Sequence, residues 1–265
     1  MWNDVLIATL VVFAISLLLG VLLALFIKFF GIEDDEKVKN IKDSLPGANC
    51  GACGFKGCAD YAEALAQGKA DPSLCVPGGE GTAKALEGIL GVKVKAGAKV
   101  ALVHCNGVPS VTSKKAEYHG VLTCKACSML YGGDGACAYG CLGCGDCADA
   151  CPTRAICLDD GIARINRDLC IGCGACAKAC PKGIISIVPA DATTIVTCSN
   201  KDKGADARRA CKVACIACKK CEKTCPEGAI TVKDNCAEID YDKCTGCGAC
   251  AECCPTGAIK QLRAE

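Results

Sequence analysis

Twenty-nine of the 265 residues are cysteine, and four segments share one spacing, C-x2-C-x2-C-x3-C-P. They are Cys141/Cys144/Cys147/Cys151-Pro152, Cys170/Cys173/Cys176/Cys180-Pro181, Cys215/Cys218/Cys221/Cys225-Pro226 and Cys244/Cys247/Cys250/Cys254-Pro255. Cysteines this close in sequence favour one shared inorganic centre over several separate disulfides. Three thiolates in step, then a fourth before proline, is the run that holds [4Fe–4S] clusters, the fourth cysteine ligating the other cluster of a pair. A zinc ribbon uses two C-x2-C pairs and needs neither the third cysteine in step nor the proline.

The pairing is legible too. Cys141 precedes Cys170 by 29 residues and Cys215 precedes Cys244 by 29; both Cys141–Cys215 and Cys170–Cys244 are 74. The second half therefore repeats the first without a gap, Ile165 matching Ile239 and Asp168 matching Asp242. Crossed ligation then gives four sets: Cys141, Cys144 and Cys147 with Cys180; Cys170, Cys173 and Cys176 with Cys151; Cys215, Cys218 and Cys221 with Cys254; Cys244, Cys247 and Cys250 with Cys225. Apolar segments beginning at Ala155-Ile156, Ile184-Ile185, Ala229-Ile230 and Ala258-Ile259 follow each Cys-Pro and are expected to pair as short strands.

A fifth set stands apart, Cys50, Cys53, Cys58 and Cys75, spaced C-x2-C-x4-C-x16-C with glycines between the first ligands. Such glycines let a loop wrap a cluster and turn N–H groups toward its sulfurs. A structural zinc site could use the same four thiolates. Nine cysteines remain. Cys124 and Cys137 stand 74 residues before Cys198 and Cys211, and Cys105 and Cys127 occur only in the first half. Cys105, Cys124, Cys127 and Cys137 could bind a sixth cluster; the plainer reading makes them small buried residues. Cys157, Cys236 and Cys253 have no partner pattern and read as packing, and His104 reads as an ordinary hydrogen-bonded histidine beside Cys105.

The elements that must position these sets are of two kinds. From Leu6 to Ile27 the chain carries no charge, long enough for one membrane-spanning helix. A signal peptide would need a basic start, and Met-Trp-Asn-Asp-Val has none. Lys28, Lys37, Lys39 and Lys42 follow the run, among Glu33, Asp34, Asp35 and Glu36, which count for little in the positive-inside rule, so the C-terminal side is expected in the cytoplasm. Abundant thiolates require the same reducing compartment. Beyond the anchor, 4% aromatic content leaves a thin core that buried clusters can staple. A net charge of +1 gives no argument for nucleic acid.

Taken together, the expected fold class is α+β: an anchor over 1–30, a small [4Fe–4S] domain over 31–78, a linker and connecting segment over 79–119 that includes a tether to about Gly97, and two tandem bacterial 2[4Fe–4S] ferredoxin-like units over 120–193 and 194–265. A short helix is expected near Ala83–Ile89 within the linker. Five [4Fe–4S] clusters are expected, with room for a sixth.

An N-terminal anchor, then Asn49-Cys50-Gly51-Ala52-Cys53-Gly54 with Cys75-Val76-Pro77-Gly78-Gly79, then serial ferredoxin units, resembles the B subunit of the Rnf ion-translocating electron-transport complex in its long, multi-cluster form. The resemblance implies a single-pass protein of the cell (inner) membrane that accepts electrons from reduced ferredoxin. It would pass them to membrane-embedded and flavin-carrying partners of a ferredoxin:NAD+ oxidoreductase coupled to Na+ or H+ export. No G-x-G-x-x-G fingerprint and no second span occur, so no catalytic residue is assigned and the nucleotide and ion sites fall to other subunits. Three alternatives are an Fe–S subunit of another membrane oxidoreductase, a redox enzyme with its own open cluster, and a tethered zinc scaffold.

Overall fold

The computed structural model describes residues 2–30, 36–94 and 97–262. Glu33, Asp34 and Asp35 beside the expected anchor lie outside these, as do Met1, residues 95–96 of the expected tether and the last three residues of the expected second unit. Helix α1 (Trp2–Phe30) has 29 residues, about 43 Å at 1.5 Å per residue, more than a hydrocarbon core requires. Within it Val5–Leu23 is long and apolar enough to cross a membrane, and side chains such as Phe13 and Leu18 are exposed on all sides.

Three short helices build the next domain: α2 (Glu36–Ser44), α3 (Cys58–Ala66) and α4 (Gly79–Leu90). Ile41, Leu45, Tyr61, Ala62, Leu65 and Leu86 close its core, with Ile89, Leu90 and Val94 packed against them. Helix α4 therefore belongs to this domain, although the sequence placed 79–119 in a linker. Its four glycines (79, 81, 88 and, at the C-terminal end, Gly91 with φ 70°) suggest loop, yet Ala83 and Leu86 recur at helical spacing and are buried. The expected Ala83–Ile89 helix is present and extends further at both ends.

Each ferredoxin-like unit consists of two antiparallel ladders. In the first, β1 (Lys99–Val103) pairs with β4 (Ile185–Pro189) and β2 (Ile156–Asp159) pairs with β3 (Ile162–Ile165), Val100 facing Val188 and Ile156 facing Ile165. In the second, β5 (Thr194–Val196) pairs with β8 (Ile259–Gln261) and β6 (Ile230–Lys233) with β7 (Cys236–Ile239), Val196 facing Ile259 and Ile230 facing Ile239. The strands after Cys-Pro start where expected, each preceded by a buried Ala155, Ile184, Ala229 or Ala258.

Strand β1 lies in the expected connecting segment, so the first unit begins near Lys99 rather than at 120. It holds the place that β5 holds in the second unit. The 74-residue register fails ahead of Cys137 because the first unit carries extra chain there, including α5 (Cys124–Met129). The short α8 (Gly204–Ala210) stands in that interval of the second unit. The two units join through an apolar cluster of Val100, Leu102, Val188 and Ile195 and through His104, whose Nδ1 lies 2.7 Å from the Val196 carbonyl.

Candidate iron–sulfur sites

In each motif the third cysteine enters a helix of one turn: Cys147 in α6 (Asp146–Asp149), Cys176 in α7 (Ala175–Ala179), Cys221 in α9 (Lys220–Thr224) and Cys250 in α10 (Ala249–Glu252). The residue before each helix is in the left-handed region: Gly145, Gly174, Lys219 and Gly248. This turns the first two cysteines toward the third. Helices α7 and α9 end at the fourth cysteine, α6 and α10 just before it, and the proline that follows carries the chain away from the set that precedes it.

Neighbouring sulfurs follow the crossed pattern. Burial, then Cys170, Cys173 and Cys151, push the Cys176 thiol up to about 11. Burial, then Cys225, Cys244 and Cys247, do the same to Cys250. Cys147 is pushed up to about 12 by burial and then by Cys141, Cys124 and Cys180. Cys215, Cys218, Cys221 and Cys254 line a cavity of about 320 Å³ with Ala237 and Ile259. Its counterpart of about 340 Å³ is lined by Cys141, Cys147 and Cys180, with Cys124 at its wall. Buried thiols crowded in this way resist ionisation until a cation sits among them, which is the charge that cluster iron supplies.

Two further features fit the residues to clusters. Backbone N–H groups donate to sulfur: Ala101 to Cys170 at 3.3 Å, Ala155 to Cys151 at 3.3 Å and Ala229 to Cys225 at 3.4 Å. Such bonds stabilise thiolate charge and raise cluster potentials. Among the described residues no three His, Cys, Asp or Glu side chains converge at the spacing of a single metal ion.

In the first domain Cys75 is raised by burial and then by nearby Cys58, Cys50 and Cys53, so all four expected ligands converge. Asn49 Oδ1 accepts the Cys58 N–H at 2.8 Å and braces the loop. That loop is seated on the first ferredoxin unit: Lys178 Nζ donates to the Gly51 carbonyl at 3.3 Å, and Cys50 adds to the upward shift of Cys173 after burial. Nothing in the spacing of either loop announces this contact.

The leftover cysteines separate differently from expectation. Cys105 and Cys137 do come together, but with Cys198 and Cys211 rather than with Cys124 and Cys127. Cys124 and Cys127 stand by Cys144, whose thiol is pushed up to about 12 by burial and then by those two. Cys157 is exposed, and Cys253 adds to the shift of Cys221. Cys236 packs against the core of the second unit, as expected, and its thiol donates to the Cys198 carbonyl at 3.1 Å. His104 has both nitrogens engaged, Nδ1 on Val196 and Nε2 on Ser186 Oγ at 2.6 Å, as expected of a structural histidine.

Comparison with known proteins assigns iron–sulfur families to the same three segments. Residues 45–77 match the family described as "Putative Fe-S cluster", and residues 140–184 and 214–258 match the "4Fe-4S dicluster domain". The chain is 41% identical over 246 residues to the B subunit of the Na+-translocating ferredoxin:NAD+ oxidoreductase complex of Acetobacterium woodii, covering 92% of this chain and 74% of that protein. It is 42% identical over 245 residues to the B subunit of the proton-translocating ferredoxin:NAD+ oxidoreductase complex of Clostridium ljungdahlii, covering 91% and 86%. It is 41% identical over 246 residues to the B subunit of the ion-translocating oxidoreductase complex of Methanosarcina acetivorans, covering 92% and 93%.

Proposed function

This chain belongs to the family of B subunits of ion-translocating oxidoreductase complexes of the Rnf type, as an iron–sulfur electron-transfer protein, and from that premise we propose the route its electrons take. Reduced ferredoxin gives up one electron at a time to the C-terminal unit. The electrons cross the first unit to the Cys50/Cys53/Cys58/Cys75 cluster and leave for flavin-carrying membrane partners, where the complex couples the flow to Na+ or H+ export. The chain is a single-pass membrane protein with its cluster domains on the cytoplasmic face, as the lysines after α1 indicate. The 16 ferredoxin-motif cysteines hold four [4Fe–4S] clusters in crossed pairs, and the Cys50 set holds a fifth.

The observation that carries this order is the seat of the Cys50 loop on the Cys173 loop, through Lys178 and Gly51. It makes the membrane-side domain the continuation of the first unit. Electron uptake at the far end is supported by exposure: Cys218 and Cys247 are exposed, whereas Cys144 and Cys173 are partly covered. Lys219, Lys220 and Lys223 ring the Cys218 edge and suit an acidic donor.

Anaerobic titration of the purified complex with reduced ferredoxin tests the reading. Its visible cluster absorbance should bleach as ferredoxin is oxidised; a complex that stays oxidised under excess reduced ferredoxin contradicts it. Charge reversal at Lys219, Lys220 and Lys223 should slow that reduction about tenfold at low salt and less at high salt, as stopped-flow would record.

A further inference from the structure

Four cysteines outside the five sets, Cys105, Cys137, Cys198 and Cys211, line one open cavity of about 480 Å³ where the two ferredoxin units meet. Each unit contributes two of them from equivalent places. Cys105 follows β1, and Cys198 follows β5, the strand that pairs in the same way. Cys105 Sγ accepts N–H bonds from Gly107 two residues on, at 3.4 Å, and from Cys141, the first ligand of its unit, at 3.3 Å. Cys198 Sγ accepts from Asn200 two residues on, at 3.5 Å, and from Cys215, the first ligand of its unit, at 3.3 Å. Cys137 and Cys211 each stand four residues before those same first ligands. The true counterpart of Cys198 is therefore Cys105, 93 residues earlier, and not Cys124 at the 74-residue register.

The cavity is built around sulfur. Asn200 Nδ2 reaches across from the second unit to donate to Cys137 Sγ at 3.2 Å, so three of the four sulfurs accept N–H bonds, as sulfurs at the motif sites do. Gly107 faces into it: a Cβ there would stand 3.5 Å from Cys105 Sγ and 3.8 Å from Cys211 Sγ, so a larger side chain would occupy the space among the sulfurs. The walls are tied across the junction, Thr112 Oγ1 donating to the Ala210 carbonyl at 2.8 Å and Ser199 Oγ to the Tyr139 carbonyl at 3.1 Å.

We propose that Cys105, Cys137, Cys198 and Cys211 ligate a sixth [4Fe–4S] cluster, shared between the two ferredoxin units. A preassembled [4Fe–4S] cluster arrives on a thiolate-ligated carrier, and its four Fe–S bonds to the carrier are exchanged for four to these cysteines as their thiol protons pass to the carrier thiolates, so no iron changes oxidation state. Cys105 and Cys198 each accept from the amide of a neighbouring cluster's ligand, so the cluster stands between the Cys141 and Cys215 sets and connects them electrically. The proposal rests on reading those sets as cluster sites, as above.

Native mass spectrometry of the anaerobically purified full-length chain, with iron and acid-labile sulfide analysis, counts the clusters. Six are expected in the wild type. Cys105→Ser, Cys211→Ser and their double variant should each hold five, because both cysteines serve one site. Gly107→Val, which keeps every thiol but fills the cavity, should also hold five; Cys127→Ser and Cys157→Ser should hold six. Five clusters in the wild type, six in Cys211→Ser, or a zinc ion beside five clusters would overturn the sixth cluster and leave the proposed electron route standing. A chain with no iron would overturn both.

Discussion

A Cys225→Ser/Cys247→Ser double variant is expected to lose a single [4Fe–4S] cluster, whereas Cys225→Ser/Cys218→Ser is expected to lose two. Read along the chain, Cys225 continues the run of Cys215, Cys218 and Cys221, and the in-line assignment predicts the opposite counts. The local geometry favours the crossed assignment proposed above. Helix α9 ends at Thr224, Pro226 prevents its continuation, and Cys225 comes to lie beside Cys250 and its companions. The Ala229 N–H on Cys225 Sγ fixes the sulfur there. Crossed ligation would make each cluster a cross-link between the halves of its unit, so that metal binding contributes directly to folding. Iron and sulfide analysis with native mass spectrometry gives the counts, and reversed losses would refute crossed ligation.

The second large effect separates two glycines at the same place in the repeat. Gly172 and Gly246 both have positive φ, 64° and 73°, so alanine costs about 1–2 kcal/mol at either. Their surroundings differ. A Cβ on Gly172 would overlap the backbone carbonyl oxygen of Lys99, with its carbon at 2.9 Å and Val76 Cγ1 at 3.0 Å. Lys99 opens the β1–β4 ladder and Val76 follows the Cys75 ligand, so neither can yield without disturbing a cluster domain. A Cβ on Gly246 would overlap Thr193 Oγ1, a side chain able to turn away for the loss of one weak bond to the Gly246 carbonyl. Gly172→Ala should therefore cost several kcal/mol and Gly246→Ala no more than about 2. Unfolding of a multi-cluster protein is irreversible, so the comparison is a rate. In guanidinium, the visible absorbance of Gly172→Ala should bleach at least tenfold faster than that of Gly246→Ala; equal rates would contradict the packing described.

The ligand runs were legible because a cluster demands thiolates at fixed spacing, and no packing alternative reproduces C-x2-C-x2-C-x3-C-P four times. The strands were legible because Ile156, Ile185, Ile230 and Ile259 each start an apolar segment just past a Cys-Pro turn. Other features depend on long-range pairing. Strand β1 is a five-residue run whose partner, β4, lies beyond two motifs, so nothing local marks Lys99–Val103 as part of the first unit. The equivalence of Cys105 with Cys198 was hidden by the extra chain around α5, since a fixed register counts residues whereas the fold aligns ladders. Helix α4 is legible at Ala83–Ile89, but its membership of the first domain depends on Leu86 packing against Ile41 and Tyr61, positions far from it in sequence. The contact between Lys178 and Gly51 joins positions 127 apart in sequence and leaves no trace in either motif.

The order of the electron route stands or falls at the Cys50 domain. Rapid-freeze EPR of the intact complex mixed with reduced ferredoxin, wild type beside Cys53→Ser, follows clusters and flavins in one experiment. In the variant the clusters of both ferredoxin units should be reduced at the wild-type rate while the flavins of the partner proteins stay oxidised. Flavins reduced in Cys53→Ser at the wild-type rate would show that electrons leave this chain by another path.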